Sequence, residues 1–403
     1  MSEWGEATLR DLMTLDVNTV EVDLAQTYNI VGVLNRGRGL LYREPMAGSE
    51  TAYKTLNRIG PNQVVYSRLK AFEGAITVAP GDLHEVYASQ EFPTFSCGPS
   101  LLPGYFYLLT TTKRLWDTLQ NLSTGMGGRR ERVKPNDFLT IKVALPSVDE
   151  QRRIVEVLEA VDKQVQALND ELEKAATALD LLITHLLSRM PSTRRLADFT
   201  STRSGPSYAA ADVASEPVEG SMPVIGIPNT RPDGTIDLSE VGYVSGLPGS
   251  VSTIDESSLV LIRTNGNRQR IGNVYLPPVE AHGCAVSAFQ FLMKVADPPD
   301  REYVYWALRE PSMQAAMSEA ASGTTGLGNL AVKWLNSAQV CWSDDAGQRV
   351  AAVASLRAQQ NVVDGLRDEL AHLRSFRSTL LSALLNQEIE IAESYDDLLE
   401  KVS

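Results

Sequence analysis

Two stretches of this chain carry a seven-residue repeat of mainly apolar positions, unbroken in the first, and that feature narrows its possible folds more than any other. In the first, Ile154, Leu158, Val161, Val165, Leu168, Leu172, Ala175, Leu179, Leu182 and Leu186 alternate spacings of four and three. Such a seam marks the a and d positions of a coiled-coil helix. Pro146 and Asp149 stand where the first turn should begin, and Pro191 follows the end. In the second stretch, Ala352, Leu356, Gln359, Val363, Leu366, Leu370, Leu373, Arg377, Leu380 and Leu384 occupy the same positions shifted by 198. Leu168-x-Asp170-Glu171-Leu172 recurs as Leu366-x-Asp368-Glu369-Leu370, so the stretch reads as a duplication. A helix of about 40 residues spans on the order of 60 Å and cannot bury such a seam alone. The simplest expectation is that the two helices pair antiparallel within one chain, the alternative being that each joins a homodimer. Polar Gln359 and Arg377 would weaken the second seam and set its register.

The segments in front of the helices repeat more faintly. Ile30-Val31-Gly32-Val33-Leu34-Asn35 matches Val224-Ile225-Gly226-Ile227-Pro228-Asn229, and Leu9-Arg10-Asp11 matches Leu196-Ala197-Asp198. Strand-like runs at 63–68 and 258–263 are each followed by a glycine, Gly74 or Gly272, and a second short run, 75–78 or 273–276. An aromatic amphipathic helix is expected near 105–119 and again near 303–317. A glycine-rich loop follows each, at 123–128 and 322–328, and then a short strand, 138–145 or 335–342. The expected fold is α+β, with two pseudo-symmetric globular domains separated by two long antiparallel coiled-coil helices. Its boundaries are 1–145 for the first domain, 146–190 for the first helix, 191–345 for the second domain, 346–388 for the second helix, and 389–403 for an acidic tail.

Composition excludes several classes. At 43% hydrophobic and 22% charged over 403 residues, the chain is too apolar for disorder and long enough for more than one core. No run approaches the roughly 20 apolar residues of a membrane helix. The polar start Met1-Ser2-Glu3-Trp4-Gly5-Glu6 does not read as a signal peptide, and three scattered cysteines suit a reducing cytoplasm. Sequence signatures of nucleotide-phosphate loops, serine-hydrolase elbows, dinucleotide folds and amino-methyl transfer are missing. His282-x-Cys284 is the only close pair of metal-ligand types, too few for a site. The reading is of a non-enzyme without a metal or cofactor of its own.

What remains is recognition. The formal net charge is −13, so an anionic ligand has to be met by local basic clusters. Residues 1–145 are neutral, with 15 basic and 15 acidic groups, whereas the helical segment 146–190 carries 5 against 9. Arg36 and Arg38 (with Arg43) crowd the first repeated loop, Arg68 and Lys70 follow a strand, and Arg129, Arg130, Arg132 and Lys134 follow the glycine-rich loop. In the second half Arg231, then Arg263, Arg268 and Arg270, then Lys333 fall at corresponding places. Cationic groups beside flexible Gly or Asn suit phosphate positioning and base-edge contacts, while an ordinary solvated surface with salt bridges is the plainer reading.

The pattern resembles the specificity subunit of type I restriction–modification systems. The segment 128–143, running into Leu145-Pro146-Ser147-Val148-Asp149-Glu150-Gln151, is similar to that family's passage from a target-recognition domain into its first conserved helix. Leu373-Arg374-Ser375-Phe376-Arg377-Ser378, with the run Leu380-Leu381-Ser382-Ala383-Leu384-Leu385, resembles its second conserved helix. The second joint departs from the pattern, with Val340-Cys341-Trp342-Ser343-Asp344-Asp345 in place of the Leu-Pro-x-x-x-Glu-Gln run. The resemblance implies a non-catalytic subunit whose two domains each read half of a bipartite site in double-stranded DNA. It implies two modification (methyltransferase) subunits docked on the helices, S-adenosylmethionine held by those partners, restriction subunits in some assemblies, and no membrane. The competing class is a coiled-coil protein–protein adaptor without a DNA role.

Overall fold

The computed structural model describes residues 4–123, 132–323, 326–392 and 395. Most of the first expected glycine-rich loop and most of the acidic tail lie outside the described residues. The chain forms two compact units, Met1–Ala167 with Ala371–Ser403, and Leu168–Leu370, so each long helix is divided between them.

In the first unit the strand Val64–Tyr66 lies inside a four-stranded antiparallel sheet, between Ile76–Val78 and Thr94–Cys97, with Met13–Leu15 beyond. Side chains on a strand alternate between faces. Val64 and Tyr66 accordingly enter one core with Phe95, Tyr105, Phe106 and Phe138, while Val65 enters a second with Val31, Ile59 and Val86. A strand buried on both faces has to read as a continuous apolar run. The second unit builds the same order: Val274–Tyr275, Ser258–Ile262, Gln290–Val295, Thr200–Ser204. There Leu259 and Leu261 face one core and Val260 and Ile262 another.

Both expected aromatic helices are broken in two. Pro103–Thr110 is followed by Lys113–Leu122, where Thr112 Oγ1 accepts the Leu115 N–H at 3.4 Å as an N-cap. Arg301–Arg309 is followed by Pro311–Ala320, because Pro311 cannot continue a helix but suits the first turn of the next. The strands expected at 138–145 and 335–342 are shorter, Lys142–Leu145 and Gln339–Trp342. Each is preceded by a short helix, Pro135–Phe138 or Val332–Ser337, the first of which starts at a proline. These strands pair antiparallel with Gly5–Thr8 and Ser192–Arg195.

The long helices run Val148–Ser188 and Ala346–Leu385. In the first unit Ile154 and Leu158 share a core with Leu381 and Leu384, and Arg377 pairs with Asp162, Nη2 to Oδ2 at 2.8 Å. These segments therefore run in opposite directions, with Val161, Val165, Leu373 and Leu380 half-buried along them. In the second unit Leu179, Ile183 and Leu187 pack with Leu356 and Val363, flanked by Leu172, Leu182 and Leu186. Leu168 and Leu370 are buried, and Leu366 is half-buried. The polar seam residue Gln359 donates from Nε2 to the Ala175 carbonyl at 3.2 Å.

Candidate nucleic-acid interface

The basic groups gather where loops leave the central strands. In the first unit Val31–Val33 pairs with Leu40–Tyr42, so Arg36 and Arg38 sit exposed on a hairpin tip. Arg36 adopts φ +61°, a left-handed conformation disfavoured for an L side chain, and its guanidinium lies 5.9 Å from the Trp116 ring centroid. Gly37, at φ +65°, makes the tip possible: a Cβ there would stand 2.5 Å from the Thr110 carbonyl oxygen. Its N–H donates to the Gly74 carbonyl at 3.3 Å, and Asn35 Nδ2 donates to Glu73 at 2.5 Å. The tip is thereby tied to the loop that bears Lys70, itself 3.9 Å from Glu73.

Arg68 is held through its backbone on both sides. Its N–H donates to the Glu91 carbonyl at 2.9 Å, and its carbonyl accepts the Val133 N–H at 3.2 Å. Tyr66, whose phenol burial pushes well above its ordinary range, stays a donor to the Val133 carbonyl at 3.1 Å. Arg132 makes two hydrogen bonds to the Glu91 carboxylate, at 3.0 and 3.3 Å, and Lys134 is exposed close by. Arg129 and Arg130 lie outside the described residues.

The second unit repeats the clamp. The Arg263 N–H donates to the Phe289 carbonyl at 2.9 Å, and its carbonyl accepts the Leu330 N–H at 2.9 Å. Among the described residues, the buried Nε atoms of both Arg68 and Arg263 are without a hydrogen-bond partner. A buried donor left open in this way is costly and calls for an acceptor. Arg263 also lies 5.6 Å from the Phe291 ring centroid. Arg270 donates to the Thr230 carbonyl and, at 3.3 Å, to the Tyr275 hydroxyl, which itself donates to the Arg231 carbonyl at 3.0 Å. Arg231 is ion-paired with Asp237, and Arg268 donates to the Gly323 carbonyl at 3.2 Å. The Ser239 N–H, with the Arg231 guanidinium, lowers the Asp237 carboxyl to about 2. Lys333 is exposed on Val332–Ser337, just beyond Leu330.

Sequence reasoning located these cations but missed the acidic and aromatic groups beside them: Glu91, Asp237, Trp116 and Phe289. One signal was available for two of these, since Ser89 and Ser287 stand 198 residues apart and open the turns that carry Glu91 and Phe289. Among the described residues, no group of His, Cys, Asp and Glu has the makings of a metal site, and Cys97, Cys284 and Cys341 are unbridged. No helix there is long and apolar enough to cross a membrane.

Residues 1–177 match the family model of the type I restriction modification DNA specificity domain. A solved structure described as the basis of complex assembly and conformational transition of the type I R-M system superposes with a TM-score of 0.61 at 16% identity, covering 96% of this chain and 98% of that chain. The type I restriction–modification S subunit from M. genitalium superposes with a TM-score of 0.51 at 16% identity, over 94% of this chain and 96% of that one. At such identities the likeness is one of fold. Among curated proteins, none matches this sequence. The first basic surface thus lies on the part of the chain that is matched to a DNA specificity domain. The family match is confined to residues 1–177, which are similar to the type I restriction modification DNA specificity domain.

Proposed function

We propose that this chain is the sequence-reading subunit of a type I restriction–modification complex, with two pseudo-symmetric units each reading one half of a bipartite site in duplex DNA. The observation that carries the reading is the repeated clamp. Arg68 and Arg263 follow equivalent central strands, are gripped by equivalent backbone hydrogen bonds, and each have an open Nε donor among the described residues. A guanidinium fixed at its base and surrounded by exposed cationic neighbours suits a base edge or phosphate. The long helices act as an antiparallel coiled-coil spacer and dock two modification subunits, which supports assigning S-adenosylmethionine and the methyl transfer to those partners. The chain itself does no chemistry and works in the cytoplasm, and the assembly can also recruit restriction subunits.

The test is to co-purify the chain with its modification subunits and map methylated adenines genome-wide. A two-part motif with a constant spacer is expected. A protein–protein adaptor would yield no motif, and its complexes would lack the steep weakening with salt that released phosphate counterions impose.

A further inference from the structure

Phe289 is 51% exposed, yet the turn that carries it is held by several hydrogen bonds. Its carbonyl accepts two N–H groups, from Arg263 at 2.9 Å and Thr264 at 3.0 Å. Its neighbour Gln290 is fully buried: Oε1 accepts the Ser287 hydroxyl at 2.9 Å and the Ser287 N–H at 3.2 Å, and Nε2 donates to the Gly226 carbonyl at 3.2 Å. On the other side Arg263 Nη1 donates to the Ala288 carbonyl at 3.3 Å. Gly205 approaches so closely that a Cβ would stand 1.8 Å from the Val286 carbonyl oxygen. Both backbone and side-chain bonds thus hold an apolar ring out to solvent, beside the clamped arginine.

A ring with no core to join, on a rigid turn, gains nothing from exposure in the free protein. Apolar side chains held rigidly next to cationic groups are used at nucleic-acid surfaces to enter or cover a base step, at an unstacking cost of a few kcal/mol. The first unit supplies the contrast. Its equivalent turn presents Glu91, whose carboxylate engages Arg132, so that unit has a charged group where the second has a ring.

Resting on the DNA-recognition reading, we propose that Phe289 is a specificity-determining wedge: its ring packs against or between bases of the half-site read by the second unit, next to the position contacted by Arg263. The two units then differ at this position, the second offering an arginine with an adjacent ring where the first offers a carboxylate.

The experiment is selection from random-sequence duplexes by the full-length chain at about 50 mM salt, where phosphate contacts are strongest, followed by sequencing of the bound pool. The wild type, Phe289→Ala and Phe289→Tyr are compared. Phe289→Ala is expected to lose enrichment at one or two adjacent positions of one half-site, the other half-site being unchanged, and Phe289→Tyr to restore it. 2-Aminopurine placed at those positions should brighten on binding the wild type and not Phe289→Ala. A Phe289→Ala pool identical to the wild type's overturns the wedge, as does equal loss in both half-sites, and a ring serving a protein partner would give the first of these results. A wild-type pool without any enriched sequence would instead overturn the DNA-recognition reading itself.

Discussion

Gln151 and Arg349, 198 residues apart, perform the same task with different chemistry. Gln151 is fully buried at the start of the first long helix. It accepts the Leu102 N–H at 2.8 Å and donates to the Ser100 and Pro146 carbonyls at 2.9 and 3.0 Å. Arg349 reaches Asp300 at 2.8 and 3.0 Å and the Ser343 carbonyl at 2.6 Å, with its guanidinium 4.5 Å from the Trp342 ring centroid. Each side chain pins the first turn of a long helix to the loop before an aromatic helix. The second joint, which departs from the family pattern in sequence, is held by an ion pair in place of an amide.

That ion pair is nearly buried, with side-chain exposures of 9% and 14%. Removing one partner of such a pair leaves an uncompensated charge and costs about 3–5 kcal/mol. Arg349→Ala should therefore lower the unfolding free energy by that amount in a urea titration followed by far-ultraviolet circular dichroism. Replacing both partners, as Arg349→Met with Asp300→Leu, should cost much less.

The seam is expected to matter only where it is buried. Leu158→Ala, at a fully buried position, should cost about 2–5 kcal/mol in a denaturant titration. Leu181→Ala on the same helix, 67% exposed, should leave stability within about 0.5 kcal/mol of wild type. Equal losses at the two positions would contradict this packing.

Arg68→Ala and Arg263→Ala should separate the two half-sites. Each lost base contact is expected to cost about 1–3 kcal/mol at its own half-site, seen as relaxed methylation there and fidelity at the other. A uniform loss across all sequences with a smaller salt slope would assign the residue to phosphate contact instead.

Acidic partners hold two of the candidate cations. Glu91→Gln and Asp237→Asn should release Arg132 and Arg231, raising affinity for non-target DNA and steepening its salt dependence.

The Asp237 carboxyl is held below its ordinary value, at about 2, so the Ser239 hydrogen bonds and the Arg231 pair contribute above the unfolded carboxyl range near about 4 and are lost as pH falls through the folded value. An NMR titration of the Asp237 carboxyl should show no protonation from neutral pH down to about 4 and a midpoint near 2. In Arg231→Ala the midpoint should move upward.

The helices and the recurrence of strand-like runs were legible in the sequence because their determinants are local and periodic. A heptad seam is written in spacing alone, and the polar residues Gln359 and Arg377 were visible within it. The buried strands were legible too, since residues 64–66 and 258–262 are covered on both faces, which favours an apolar run. The basic loops could be located, but not the state of each cation. Arg132 and Arg231 look alike in composition to Arg36, yet they are engaged by Glu91 and Asp237, which lie 41 and 6 residues away. Pairing of that kind depends on which loops meet. The second joint makes the same point: position 349 carries Arg where position 151 carries Gln, and Asp300, brought to it by folding, turns a departure from pattern into an equivalent anchor. Periodicity and hydrophobicity act along the chain, so what repeats and what is buried could be read from residue order. Which arginines are clamped, which are neutralised and which aromatic ring stays outside depend on contacts between distant segments, and those exist only once the chain has folded.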